Sequence, residues 1–136
     1  MEYLPLFFQL RGRPVLMVGG GTVALRKARL ISRAGALIHC VCPDIDAELV
    51  DLLQRTGGAW TEGVYTPEQL EGVQLVVAAT PDETVNQRIA EDCQRRQLPV
   101  NVVDSPGLCS VIFPSIVDRS PLVVAISSSG QSPVLA

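Results

Sequence analysis

The sequence predicts an α/β fold: a Rossmann-type doubly wound parallel sheet followed by the start of a β-rich region. Three observations predict it. Short aliphatic runs alternate with helical patterns as far as about residue 103. The first run ends in Gly19-Gly20-Gly21-Thr22-Val23-Ala24, which fits G-x-G-x-x-A, and a long helical pattern follows at once. Hydrophobic residues make up 47% of the 136 and aromatics only 4%, so the core must be aliphatic, as buried parallel strands usually are.

Each element has its own signal. Residues 15–18 are an apolar strand, and the glycines turn it into the first helix. Residues 36–42 read as a second strand, and Pro43-Asp44 can cap a helix running to about residue 55. Residues 59–62 are a weak third strand. Thr66-Pro67-Glu68-Gln69 is a capping box with proline at the first helical position, opening a short helix. Residues 73–79 form an almost wholly apolar fourth strand. Thr80-Pro81-Asp82-Glu83 repeats the box and opens a helix to about residue 96. Residues 98–103 are the fifth strand. Such βαβ units require right-handed crossovers and a sheet covered on both faces. After Asp104 the pattern changes. Residues 111–117 and 122–127 are β-rich, joined by Asp118-Arg119-Ser120-Pro121, and read as a hairpin or sheet extension. The boundary therefore falls near residue 113, with 1–113 as the dinucleotide domain and 114–136 as the start of another region. The chain stops just after Val134-Leu135 and reads as cut.

The hexad carries chemistry. Gly19 permits a tight strand-to-helix turn, Gly21 lets the backbone approach a pyrophosphate, and Ala24 lets the helix lie close on the sheet. Unpaired N–H groups and the helix dipole favour an anion at that terminus. The bland alternative is a glycine-rich turn. An acidic residue roughly 20 positions further on usually holds the ribose 2′-OH. Asp44 lies in that window beside Pro43, and no arginine follows closely enough to welcome a 2′-phosphate. NAD is favoured over NADP, with Asp44 as a helix N-cap the alternative.

A net charge of −3 argues against nucleic acid or an acidic membrane as the main partner. No apolar run approaches the roughly 18–20 residues of a membrane span, and no signal-peptide pattern opens the chain, so a cytoplasmic location is expected. Cys40, Cys42, Cys93 and Cys109 read as reduced thiols. Cys40 and Cys42 share a side of their strand with His39 nearby, but two small buried hydrophobes is the plainer reading, and no metal site is expected.

Ligands in open α/β sheets bind beyond the carboxyl ends of the strands. There the fourth and fifth strands end in Ala78-Ala79-Thr80 and Asn101-Val102-Val103-Asp104. Asp104, partly desolvated and without an adjacent cation, should have a raised pKa and could act as a base. A turn-capping aspartate before Ser105-Pro106 is the equal alternative.

The ordered motifs Leu4-Pro5-Leu6-Phe7, Leu10-Arg11-Gly12-Arg13, the glycine hexad with Arg26-Lys27-Ala28, Ala78-Ala79-Thr80, Val85-Asn86, Asn101-Val102-Val103-Asp104, Phe113-Pro114-Ser115-Ile116 and Ser132-Pro133-Val134-Leu135-Ala136 resemble the siroheme synthase family, in its precorrin-2 dehydrogenase/sirohydrochlorin ferrochelatase module. The resemblance spans the whole chain. It implies that precorrin-2 gives a hydride to NAD+ and becomes sirohydrochlorin, that Fe2+ enters as a substrate to give siroheme, and that Asp104 is the base for both steps. It implies cofactor contacts at Gly19, Gly20, Gly21, Thr22, Val23, Pro43, Asp44, Ala79 and Thr80. It also implies a homodimer built through the region after the sheet, and a methyltransferase module fused downstream in the bacterial form.

The implied substrate carries eight carboxylates, so an acidic protein must concentrate its donors locally. Asn101, Arg119 and the serine loop at 127–129 are the candidates, with Ser128 also a candidate phosphorylation site. A flexible linker is the alternative for that loop. Arg26 and Lys27 are attractive as well, with solvated residues of the cofactor helix the alternative, and Arg88, Arg95 and Arg96 read as the outer face of a helix. A nucleotide-sensing regulatory domain would explain the glycine loop without catalysis. An ordinary NAD dehydrogenase for a small metabolite lacks a well-placed His or Lys acid–base group.

Overall fold

The structure is a computed structural model that describes residues 1–129; the motif expected at 132–136 lies outside the described residues. The expected alternation is present. Strands β1 (Pro14–Val18), β2 (Leu37–Cys42), β3 (Ala59–Glu62), β4 (Leu75–Ala78) and β5 (Val100–Val102) form one parallel sheet in the order β3-β2-β1-β4-β5. Helices α1 (Thr22–Arg33) and α2 (Ala47–Thr56) follow β1 and β2, and α3 (Glu83–Arg95) follows β4.

The central strands β1 and β4 are apolar throughout because both faces are covered, whereas β3 at the sheet edge is exposed. Val15 and Met17 face Ala24, Leu25 and Ala28 of α1 and Leu49 of α2. Leu16 and Val18 face the opposite way, into a cluster with Ile89, Ala90 and Cys93 of α3. Each fully buried Val, Leu or Met contributes roughly 1.5–3 kcal/mol. This two-sided core is chiefly aliphatic, with Tyr65 buried on the α3 side and Phe113 packed on the α1 side.

Several element ends differ from expectation for local reasons. The α2 cap is Asp46, whose carboxylate accepts the Glu48 N–H at 2.8 Å; Asp44 does not cap. The α3 cap is Asp82, accepting from Thr84 and Val85, whereas Thr80 bonds elsewhere. The helix expected at Thr66 is a single 3-10 turn, Pro67–Leu70, although Gln69 does reach back to the Thr66 N–H at 3.0 Å. β5 is only three residues, because at Asp104 the backbone enters the left-handed region (φ 60°) and leaves the sheet.

β5 is an edge, and an edge needs covering. The segment after the 3-10 turn Pro106–Leu108 does this largely with side chains. Ser110 Oγ accepts the Val100 N–H, and Cys109 Sγ accepts from the Val102 N–H while its thiol donates to the Val102 carbonyl. Val111 and Phe113 then pack on the α1 side of the core. The chain continues into an antiparallel hairpin, β6 (Ser115–Arg119) and β7 (Leu122–Ile126). Its strands start and end a few residues from the expected positions, and its turn is Ser120-Pro121. An ion pair from Arg33 to Asp118 at 3.3 Å ties the hairpin to the end of α1.

Candidate functional site

The chain moves from β1 to β2 in one direction and from β4 to β5 in the other, so the strand order reverses between β1 and β4. At such a switch point the connections leave the carboxyl edge in opposite directions and open a crevice. A cleft of about 810 Å3 lies there. It is lined by the whole hexad, by Pro43 and Asp44 after β2, by Ala79 and Thr80 after β4, and by Asp104 after β5. A smaller hollow of about 540 Å3 sits at the other end of β5, among Cys93, Gln97, Leu98 and Val100. It has no glycine loop or helix start, so the larger cleft is the candidate site.

The three glycines have different jobs. At Gly19, φ is 124° and a Cβ would lie 2.4 Å from the Ala79 carbonyl oxygen. A Cβ on Gly20 would meet Asp44 O and Cys42 Sγ at 2.5 Å. These two pack the loop against its neighbours. Around Gly21 there is open space, so its missing side chain leaves room for a ligand rather than for protein. Gly21 is also the N-cap of α1, with no side-chain cap and no acidic residue in the first turn. Among the described residues no side chain caps the first N–H groups of α1, whose first turn lines the cleft.

The other candidates are set around this anion cradle. Asp44 is exposed on the cleft wall, and because Asp46 caps α2 its carboxylate is free to accept from a ribose hydroxyl. Thr80 is held by Asn86: its hydroxyl donates to Asn86 Oδ1 at 2.7 Å, and Asn86 Nδ2 returns a bond to the Thr80 carbonyl at 3.0 Å. These features fit a dinucleotide: an uncapped helix start for the pyrophosphate, an unpaired carboxylate for a ribose, and a glycine that leaves the approach clear.

Asp104 reaches the cleft, but its setting differs from expectation. It is exposed rather than partly desolvated, because its left-handed backbone swings it clear of the sheet edge. It also has a cationic neighbour in Lys27, on which its charge acts. Asn101 lies away from the cleft. It is 6% exposed on the α1 face of the sheet, and its Nδ2 donates to the Val111 carbonyl at 3.1 Å. It secures the segment that covers β5, and among the described residues its Oδ1 has no hydrogen-bond partner. Arg119 is exposed on β6 and donates to the Asp118 carbonyl, and Ser128 follows β7; neither lines the cleft.

Cys40 and Cys42 do share a side, with sulfurs 3.8 Å apart, but His39 points the other way to Thr61 Oγ1 at 2.6 Å. Burial pushes both thiols up, and Cys40 donates to the Gly19 carbonyl. They pack beneath the glycine loop. Among the described residues no group of three or more His, Cys, Asp or Glu is placed to hold a metal.

Tyr65 and Arg88 line the cleft without having been expected there, whereas Lys27, a weighed candidate, is not among the residues that line it. Tyr65 lines the cleft and donates its hydroxyl to Asp92 at 2.6 Å. Arg88 lies over the Tyr65 ring, 5.5 Å from its centroid, and borders the cleft instead of belonging only to an outer face. Lys27 is half-buried over the Phe113 ring at 4.7 Å. The spacing of Val85, Arg88 and Asp92 on one helical face was a signal for Arg88, but only the fold shows what that face meets.

The family described as putative NAD(P)-binding matches residues 6–115. Siroheme synthases of Stutzerimonas stutzeri and Ectopseudomonas mendocina are 57% and 58% identical over the full chain. The chain spans 29% of the length of each of these relatives. The solved structure of SirC, precorrin-2 dehydrogenase, superposes with a TM-score of 0.81 at 32% identity, covering 98% of this chain and 65% of that one. GenD2 from gentamicin A biosynthesis, solved with NAD, is 26% identical with a TM-score of 0.52 over 78% of this chain and 32% of its own.

Proposed function

This chain belongs to the siroheme synthase family through its putative NAD(P)-binding module, and from that membership we propose that it dehydrogenates precorrin-2 to sirohydrochlorin with NAD+ and then admits Fe2+ to give siroheme. The observation that carries the reading is the meeting, in one cleft, of an open anion cradle at Gly21, a free carboxylate at Asp44 and a second carboxylate at Asp104. The first two suit a dinucleotide, and the third is left over for chemistry.

Bound NAD+ supplies the hydride acceptor. The protein's part is position and proton removal. The first turn of α1 holds the pyrophosphate, Asp44 accepts from the adenosine ribose, and Ala79 and Thr80 form the floor after β4. Asp104 takes the proton released as the hydride leaves the macrocycle and conjugation extends. In the second step Fe2+ is a substrate bound by the tetrapyrrole, and two pyrrole N–H protons must leave. Asp104 accepts these in turn in this reading, and its exposure lets it return each proton to solvent.

The assignment extends to residues 1–113 as the cofactor domain and 114–136 as the start of the part that makes a homodimer and meets the tetrapyrrole. Arg119 and Ser128 are the donors proposed there, Ser128 also as a modification point. The remaining length of the relatives suits a fused methyltransferase module. No described helix is long and apolar enough to cross a membrane, and we assign a cytoplasmic location.

The test is to mix the protein with precorrin-2 and NAD+, follow the visible spectrum, and then add Fe2+. The proposal expects sirohydrochlorin and then siroheme. NAD binding with an unchanged tetrapyrrole spectrum would instead identify a nucleotide sensor.

A further inference from the structure

We propose that Lys27 binds a carboxylate of the tetrapyrrole at the Asp104 end of the cleft; this rests on the reading that the tetrapyrrole lies there. Lys27 is one helical turn beyond Val23, and Val23 lines the cleft. It is the sixth residue of α1, so its backbone lies about 7–8 Å along the axis from the first residue. That distance separates it from the pyrophosphate cradle and brings it to the segment that follows β5. There its ammonium rests on the Phe113 ring, 4.7 Å from the centroid. Phe113 is itself seated on the core, so the stem has a fixed platform.

What Lys27 lacks is an ion-pair partner. Among the described residues the ion pairs join Arg29 to Glu48, Arg33 to Asp118, Arg55 to Asp51, Arg95 to Asp92 and Arg96 to Glu71, and none includes Lys27. Burial chiefly, and then the charge of Arg26, hold its pKa below the ordinary lysine value, against the opposite pull of Cys109 and Asp104. A half-buried ammonium under those conditions is disfavoured relative to a simple apolar side chain on Phe113. An incoming carboxylate supplies the opposite charge that offsets both costs. A substrate ringed with carboxylates brings one wherever its rim passes α1, and fixing that rim fixes the macrocycle relative to Asp104.

The experiment is a titration of sirohydrochlorin, without iron, into the protein and into Lys27→Met, Lys27→Gln and Lys27→Arg, read by the change in tetrapyrrole absorbance. Met keeps the stem on Phe113 and removes the charge. Lys27→Met and Lys27→Gln should bind about tenfold more weakly or worse, and Lys27→Arg should recover most of the loss. NAD affinity, measured separately by nucleotide fluorescence with NADH, should stay at the parental value in every variant, which also shows that each is folded. Charge-neutral variants that bind within twofold of the parent would overturn the role of Lys27 while leaving the tetrapyrrole reading intact. An equal loss of NADH and sirohydrochlorin binding would overturn it too, by showing a general effect on the cleft. A parent protein that binds NADH but no sirohydrochlorin would overturn the tetrapyrrole reading and this inference with it.

Discussion

Gly19 and Ala79 approach so closely that a Cβ on the first would lie 2.4 Å from the carbonyl oxygen of the second. This contact joins the turn after β1 to the end of β4, the two sides of the switch point. The Ala79 N–H also donates to the Val18 carbonyl at 2.8 Å, so the cleft floor is a continuation of the sheet. Gly19→Ala must move one side and force φ 124° on a residue with a side chain. It should destabilise the fold by about 1–3 kcal/mol and loosen the cofactor site. Chemical denaturation checks this, and an alanine variant as stable as the parent would mean that the contact is not enforced in solution.

Gly21 has the opposite environment. With nothing within 4 Å of a Cβ there, Gly21→Val should fold normally while its side chain occupies the approach to the helix start. NAD binding and precorrin-2 dehydrogenation should fall together. Iron insertion into supplied sirohydrochlorin should largely persist, because that step needs no nicotinamide. Equal loss of both activities in a folded variant would show that the two steps are not separable in this way.

Asp104→Asn keeps the shape of the side chain and removes the base. Both reactions should slow by roughly a hundredfold or more, while NAD affinity should hardly change, since Gly21 and Asp44 follow β1 and β2 whereas Asp104 follows β5. Near-normal rates would return Asp104 to the role of a turn residue, for which its left-handed backbone already qualifies it.

How far the sequence reached depended on the range of each interaction. The glycine hexad is local, and its six residues line the cleft. The alternation of strands and helices is likewise local, and it led to the sheet. Capping was local but ambiguous: Asp44, Asp46 and the Thr80–Asp82 pair are all competent caps, and the choice depends on where the chain leaves the strand. Asp46 capping α2 is what leaves Asp44 available. Arg88 on Tyr65 and Lys27 on Phe113 are contacts across 23 and 86 positions, and no periodicity within one helix encodes them. Asn101 is a polar residue in an apolar strand and resembled a site residue, yet its amide serves the uncovered edge of β5. The exposure of Asp104 could not be read either, because it depends on a backbone excursion at a single residue.

Ser128 follows the hairpin, next to Ser129 whose N–H donates to Ser127 Oγ at 3.1 Å. If this loop meets the macrocycle, phosphate on Ser128 would set about −1.5 to −2 charges against a polyanion. Ser128→Asp should therefore weaken sirohydrochlorin binding and leave NADH binding alone. Binding as tight as the parent's would remove Ser128 from the substrate surface.

The hairpin itself predicts association. Its register pairs Val117 with Val124 and Arg119 with Leu122, and alternation puts Val117, Leu122, Val124 and Ile126 on one face. The other face includes Asp118, which is held by Arg33 of α1. Ser115 and Arg119 flank that first face, and its aliphatic members are solvent-exposed, Leu122 at 64% and Ile126 at 46%. Four clustered aliphatic side chains on a two-stranded ribbon are poorly stable in water. A second copy of the same ribbon would cover them symmetrically. Sedimentation should find a dimer for the parent protein and a shift toward monomer for Val124→Lys, which places a charge at the centre of that face. The same variant should keep its NADH affinity, because β6 and β7 do not line the cofactor cleft, but should lose tetrapyrrole turnover if the partner completes the substrate site. A parent protein that sediments as a monomer at micromolar concentration and is fully active would show that the face serves another purpose.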